Sequence, residues 1–417
     1  MKMHNINLGN VYFCQICNSK KLSIILDLGF TPPCDSLPND EALSVSEIYY
    51  PLKLLRCSDC FLMQLSYVVD PRILFHINYP YKSSITNVLS DNLQNGAQKI
   101  IENLNIPENS LVVDIGSNDG TLLKGFQKKK MRVIGIEPTN IAKIAEKNNV
   151  PTLQVFFDKK TCKKILSDYG TPKLVTATNV FAHAQMLGNL IEGVEYILDK
   201  DGYFVSESHY ALDILNTLQF DSIYHEHLKY YSLKDLIKLL SYYNFTVIDA
   251  ERIPNYGGSI RCYAQKGKNR SVSLNVYDLL KEEENSKLYD ESTWIKFSHK
   301  VVDAKKKFKI FISEIIKNNK TICGIGSPGR SCTLINYFDI SKLEMNYIAE
   351  QSTSLKLGLY VPGKHIPIVD EKLMLENQPD YALILSWHYY ENIINNLRNK
   401  GLKSKIIIPL PQIKILD

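Results

Sequence analysis

At 417 residues the chain is longer than one hydrophobic core usually holds, so two or three domains are expected. Its 45% hydrophobic and 22% charged residues exclude a disordered or low-complexity chain. A net charge of +5, with lysines scattered along the length, offers none of the dense basic surface that nucleic acid would need. No basic segment with an apolar core opens the chain, and no run reaches the roughly 18 apolar residues of a membrane span. A cytoplasmic protein with neither nucleic acid nor membrane as partner is expected.

Residues 1–70 form the first expected unit. They hold Cys14-Gln15-Ile16-Cys17 and Cys57-Ser58-Asp59-Cys60, with Pro32, Pro33, Pro38 and Pro51 between the pairs. Paired cysteines in a short, proline-rich stretch without a secretory signal point to metal ligation and not to disulfides. Four thiolates make a closed tetrahedral site, which is structural Zn2+ chemistry, because a catalytic zinc keeps a position open. The gap of about 39 residues between the pairs exceeds the usual ribbon spacing, so an inserted excursion is expected. The alternative is four reduced, unliganded cysteines. Of the nine cysteines, the other five lack such spacing and read as small core residues.

Residues 71–265 read as a helical lead-in followed by an α/β domain. Leu89, Leu93, Ala97, Ile100 and Ile101 follow helical spacing. Leu111–Ile115, Arg132–Ile136, Leu174–Thr178 and Tyr203–Glu207 are short strand-forming runs separated by helical segments, the pattern of a parallel sheet covered on both faces. The first strand runs into Asp114-Ile115-Gly116-Ser117-Asn118-Asp119-Gly120, and the second ends at Glu137. An acid about 20 residues after a glycine turn is placed for the two ribose hydroxyls of an adenosine cofactor. The turn lacks the G-x-G-x-x-G of a dinucleotide fold and carries Asp114, whose charge would repel a pyrophosphate. S-adenosylmethionine, with a sulfonium and an amino-acid moiety, is therefore preferred over NAD.

Three further stretches of this unit carry chemistry. His183 follows a strand, at the edge where such sheets bind ligands. Tyr224-His225-Glu226-His227 gathers a base titrating near neutrality, a carboxylate and a phenol within four positions, enough to deprotonate a carbon and steady the resulting oxyanion. The structural alternative is a helix entry, since Ser232-Leu233-Lys234-Asp235 starts a helix just beyond. In Asn255-Tyr256-Gly257-Gly258-Ser259-Ile260-Arg261 two glycines allow close backbone approach, and Arg261 is a candidate for a phosphate or oxyanion.

Residues 266–417 begin with a polar, helix-favouring connector, with Glu282, Glu283 and Glu284 expected on a solvated face. A second α/β pattern follows, with strand-like Thr321–Gly324, Asn346–Ala349, Tyr381–Leu385 and Ile406–Pro409. The loop Gly324-Ile325-Gly326-Ser327-Pro328-Gly329-Arg330 stands after the first of these.

Assembled, these residues resemble the sugar C-methyltransferases that act on nucleotide-linked 4-keto-deoxyhexoses. The resemblance spans nearly the whole chain. Its most specific pieces are Phe220–Leu228, Asn179-Val180-Phe181-Ala182-His183 and Gly257-Gly258-Ser259, with Tyr360–Pro367 and Pro379-Asp380-Tyr381 late in the chain. It implies a zinc-binding domain, a class I S-adenosylmethionine methyltransferase domain and a C-terminal Rossmann-like domain associated with the nucleotide sugar. It also implies that His227 removes the proton beside the ketone, that Glu226 orients and polarises it, and that Tyr224 and His183 steady the enolate. Tyr79, Tyr81 and Ser84 would close over a cofactor held by Asp114, Gly116, Asn118, Asp119, Glu137 and Asn179. His225, Arg261 and Arg330 would face the sugar nucleotide. Two departures stand out: Glu207-Ser208-His209 replaces a Glu-x-Pro, and Arg330-Ser331 replaces a Lys-Gly pair.

Three domains suffice to bury a site within one chain, so a monomer is expected. Two other readings remain at this stage: O- or N-methylation on the same scaffold, and a zinc-ribbon nucleic-acid-binding protein with a degenerate methyltransferase fold.

Overall fold

The computed structural model describes residues 4–76, 80, 83 and 87–417. Near the N-terminus, β1 (Leu22–Thr31), β2 (Tyr50–Cys57) and β3 (Met63–Leu65) form an antiparallel meander. Its fourth strand, Lys229–Tyr230, arrives from far along the chain and pairs with β3. The long gap between the cysteine pairs is the hairpin of β1 and β2.

The central sheet has seven strands: β4 (Leu111–Ile115), β5 (Arg132–Ile136), β6 (Thr152–Leu153), β7 (Leu174–Thr178), β8 (Tyr203–His209), β9 (Phe245–Ile253) and β10 (Ser259–Lys266). They lie in the order β9-β10-β8-β7-β4-β5-β6, parallel except where β10 inserts antiparallel between β8 and β9. Every residue of β4 is buried, as a central strand covered on both faces requires. The strand order reverses between β4 and β7, which opens a crevice at their C-terminal ends. This is the class I methyltransferase fold expected. The helix Asn87–Leu104 precedes β4, and its Ala97, Ile100 and Ile101 are buried at the anticipated spacing.

The connector is helical, as Leu274–Asn285 and Glu291–Lys317, but it is not simply solvated. Trp294, Phe297, Val301, Phe308, Ile312 and Ile315 form a buried stripe. Glu283 is fully buried: it accepts from Tyr210 Oη at 2.8 Å, from Leu233 N at 2.5 Å and from Tyr289 Oη. A charge run that looked exposed thus conceals a carboxylate satisfying the start of the helix Leu233–Ser241.

The last sheet comprises β11 (Ile322–Ile325), β12 (Ile348–Glu350), β13 (Ile368–Asp370), β14 (Tyr381–Ile384), β15 (Lys405–Ile408) and β16 (Lys414–Leu416), ordered β13-β12-β11-β14-β15-β16. Only β16 is antiparallel. Its own reversal, between β11 and β14, presents the 326–330 loop and residues 386–388 at one edge. Among the described residues no helix is long and apolar enough to cross a membrane.

Candidate active site

The four zinc-domain cysteines meet. Their Sγ atoms lie within 4.8 Å of one another, with Cys14–Cys60 and Cys17–Cys57 each at 3.4 Å. Zn–S bonds of about 2.3 Å place tetrahedral sulfurs somewhat under about 4 Å apart, so the set fits one closed structural Zn2+. Gln15, between the first two ligands, ties this knuckle to the catalytic domain. Its Nε2 donates to the Gln185 carbonyl at 2.8 Å, and its Oε1 accepts from Lys229 Nζ at 2.8 Å. Lys229, 1% exposed, also donates to the Ala184 carbonyl at 2.7 Å, and burial draws its pKa far below that of a free lysine. The metal knuckle therefore braces the loops that carry His183 and His227.

At the end of β4 the chain turns through Gly116 at φ 67°, where a Cβ would stand 2.2 Å from Val180 Cγ2. Only glycine fits. Asn118 N donates to Glu137 Oε2 at 3.0 Å and Thr139 N to Oε1 at 2.9 Å, so the turn and the acid at the end of β5 are locked together. Asp114 accepts from Thr176 Oγ1 at 2.6 Å, and burial, with the nearby charge of Glu137, pushes its carboxyl up to about 7. Asn179 adopts φ 55°, and its buried Oδ1 has no hydrogen-bond partner among the described residues. A carboxylate for a ribose diol, a turn with no room for a Cβ, an unpaired amide oxygen and an acid that a cationic group would return to its charged form all suit S-adenosylmethionine. Asp119 instead binds the first residue of the following helix, accepting from Thr121 Oγ1 at 2.6 Å and Thr121 N at 3.2 Å, and does not line the cavity. Tyr79, Tyr81 and Ser84 lie outside the described residues.

A cavity of about 1040 Å³ runs from this crevice to Tyr224, Glu226 and His227. His227 Nδ1 donates to the Ser222 carbonyl at 3.0 Å, which leaves Nε2 as an acceptor, taken by Tyr224 Oη at 2.9 Å. Glu226 does not supply the orientation that the sequence suggested, because its carboxylate turns toward the Cys34 thiol, 3.4 Å from Oε1. The backbone carbonyl performs that task. His183 meets the His227 ring edge-on and His209 meets it tilted, with ring centroids 4.9 and 4.7 Å away. Burial pushes His183 down to about 4 and His209 to about 3, and burial with the neighbouring His209, His183 and Arg330 keeps His227 well below its ordinary value. The cluster is a set of neutral imidazoles, one of them with its tautomer fixed.

Not every anticipated residue reaches the cavity. His225 packs edge-on against Tyr50 of the zinc domain, 5.9 Å between centroids, and is absent from the cavity wall. Arg261 is absent from it too: it pairs with Glu207 at 3.0 Å and Glu251 at 2.9 Å, across strands in register. Arg330 lines the cavity, but its guanidinium is occupied by Asp221, Gln219, Tyr256 and His388. Asp35, Phe156, Asp158, Tyr256 and His388 also form part of the wall. Tyr256 lies in the stretch already singled out for its glycines and Arg261, whereas Asp35, Phe156, Asp158 and His388 sit in no dense motif.

Three consecutive stretches match known domain families. Residues 14–75 match "Putative zinc binding domain", 87–250 "Methyltransferase domain" and 254–411 "C-methyltransferase C-terminal domain". The chain is 29% identical over 410 residues to the C-methyltransferase NovU of Streptomyces niveus, covering 97% of this chain and 96% of that protein. Among solved structures, magnesium protoporphyrin IX methyltransferase of Synechocystis PCC 6803 with bound SAH is 13% identical, covering 45% of this chain and 90% of that one, with a TM-score of 0.34. The 1,6-didemethyltoxoflavin-N1-methyltransferase of Burkholderia thailandensis is 16% identical, covering 44% and 82%, with a TM-score of 0.33.

Proposed function

We propose that this chain, which matches a zinc-binding, a methyltransferase and a C-methyltransferase C-terminal domain in turn, is an S-adenosylmethionine-dependent C-methyltransferase whose methyl acceptor is the carbon beside the ketone of a nucleotide-linked 4-keto-deoxysugar. The observation that carries this reading is the single cavity joining the Gly116–Glu137 crevice to a neutral histidine hydrogen-bonded to a phenol. A hydroxyl or amine acceptor brings its own lone pair, whereas a carbon must first be deprotonated. A base and an oxyanion donor side by side are what that step needs.

When bound, S-adenosylmethionine supplies an electrophilic methyl group. The rest falls to the protein. Tyr224 Oη donates to His227 Nε2 as long as no ketone is present. A ketone oxygen that accepts from Tyr224 in place of the histidine leaves Nε2 bare, so one exchange of hydrogen bonds both arms the base and polarises the carbonyl. Nε2 then takes the α-proton, while Nδ1–H, held by the Ser222 carbonyl, stabilises the imidazolium. Tyr224, joined by the neighbouring His183, steadies the enolate oxygen. The mouth between the central and last sheets, lined by Tyr256, Pro328, Gly329 and His388, receives the nucleotide portion of the substrate.

The test is to supply S-adenosylmethionine with a 13C-labelled methyl and a nucleotide-linked 4-keto-deoxysugar, and to assign the product by NMR. A methyl coupled to a ring carbon is expected. A methyl bound through oxygen or nitrogen would refute the reading.

A further inference from the structure

Arg330 stands at the N-terminal end of the helix Gly329–Phe338 and is 5% exposed. A guanidinium has five N–H donors, and here each faces a protein acceptor. Nε donates to Asp221 Oδ2 at 2.9 Å, and one terminal nitrogen donates to Asp221 Oδ1 at 2.7 Å and Gln219 Oε1 at 3.1 Å. The other donates to the Tyr256 carbonyl at 3.1 Å and, more weakly, to His388 Nδ1 at 3.4 Å. Asp221 is wholly buried and takes a further bond from Trp387 Nε1 at 2.8 Å, and the guanidinium lies 5.2 Å from the Trp387 ring centroid. A substrate phosphate could bind this arginine only by displacing a protein acceptor: the bidentate Asp221 carboxylate on one edge, or the Tyr256 carbonyl and His388 on the remaining terminal nitrogen.

We propose that Arg330 is a positioning residue, a fixed cation delivered by the C-terminal domain that locks the 219–227 segment bearing Tyr224 and His227, and is not a ligand of the substrate's phosphates. The same helix and its surroundings hold that segment at other points. Thr333 Oγ1 donates to the Ile223 carbonyl at 3.1 Å, and Phe220 packs on Tyr337 and Phe338 with centroids 5.3 and 5.2 Å away. The charge has a second effect. The groups facing His227 are His183 and His209 from the central sheet, Tyr224, Glu226 and Tyr230 from its own segment, and Arg330 with His388 and Tyr256 from the opposite wall. A permanent cation in this group disfavours a second positive charge on the imidazole. The proposal rests on the reading of His227 as the base only for its catalytic consequence, since the placement and titration of that histidine can be measured without substrate.

The experiment uses the zinc-loaded, full-length protein labelled with 15N-histidine, with His227 assigned by its loss in His227→Gln. In Arg330→Gln the His227 titration should rise by about one pH unit, as expected when a nearby charge is removed. In Arg330→Lys it should stay low, because the charge remains. The lysine cannot span Asp221 bidentately, so methylation kcat should still fall about tenfold with KM changed by less than about threefold. Calorimetry with uridine diphosphate and with inorganic pyrophosphate supplies the other arm: affinities equal in wild type and Arg330→Lys, or no binding by either, agree with the proposal. A His227 titration unmoved in Arg330→Gln, or a tenfold or greater loss of diphosphate affinity in Arg330→Lys, would overturn it. Should Arg330→Gln not fold, the Arg330→Lys measurements decide alone: wild-type kcat or weakened diphosphate binding would overturn the proposal. Failure of the His227 reading itself appears elsewhere, as proton exchange that survives in His227→Gln.

Discussion

His227 is the residue on which the chemistry turns, and its surroundings set the pH at which it works. Burial together with His209, His183 and Arg330 lowers its pKa well below 6.5. The neutral base is therefore fully present above about pH 6.5 and is lost only as pH falls through the lowered value. A profile of kcat/KM against pH should place its acid limb below 6.5, and a limb at or above 6.5 would show that the histidine is not shielded as the structure has it. At the cofactor end, Glu137→Ala should weaken S-adenosylmethionine by about 1–3 kcal/mol in calorimetry, the cost of losing charge-assisted hydrogen bonds. Unchanged affinity would put the cofactor elsewhere. At this scale the sequence was partly legible. Tyr224, His227 and His183 announce their chemistry by type and proximity. The tautomer-fixing Ser222 carbonyl has no side-chain signature, and the Glu226 carboxylate, adjacent to His227 in sequence, accepts from the Cys34 thiol. Arg261 looked like an anion ligand because pairing across strands with Glu207 depends on register, which no local motif reveals.

Among elements, the zinc knuckle and the catalytic loop behave as one unit. The strand Lys229–Tyr230 completes the zinc-domain sheet two residues after His227, and the buried Lys229 ammonium links Gln15 to Ala184. Removing Zn2+ with a chelator should therefore lower the melting temperature and depress methylation together, although no metal ligand lines the cavity. Metal-free protein with wild-type stability and activity would contradict this. Lys229→Met should destabilise by about 1–3 kcal/mol in denaturant unfolding, since two buried acceptors lose their donor. The strands expected from short β-branched runs between helices begin and end within two residues of those observed, whereas Thr152–Leu153, Phe245–Ile253, Ser259–Lys266, Ile368–Asp370 and Lys414–Leu416 have no bounds in that reading. The pairing of Lys229–Tyr230 with β3 could not be read from the sequence, because two residues carry no periodicity and their partner lies far away in sequence.

In the whole molecule, two sheets of similar design turn their switch-point edges toward one cavity, and the zinc domain closes part of its wall through Asp35. Buried inter-domain pairs hold this arrangement: Arg330 with Asp221, and Lys356 with Asp35 at 2.7 Å. Buried histidines should make it acid-sensitive. His225, pushed down to about 4 by burial, protonates readily only in the unfolded chain, so stability is fully present above about pH 6.5 and falls as pH drops toward 4. The loss is about 1.4 kcal/mol per pH unit for such a group; the half-buried His183 and His209 add less, because the cavity admits water. Urea unfolding at pH 7 and pH 5 measures this, and equal stabilities would contradict it. The central claim is narrower, that this cavity makes a carbanion. The direct test incubates the protein in heavy water with a nucleotide-linked 4-keto-deoxysugar and no methyl donor, and follows the α-proton by NMR. Wild type should exchange that proton, and His227→Gln should do so about 10²- to 10⁴-fold more slowly while still binding S-adenosylmethionine. Absence of exchange in wild type, or exchange at the wild-type rate in His227→Gln, would contradict the account.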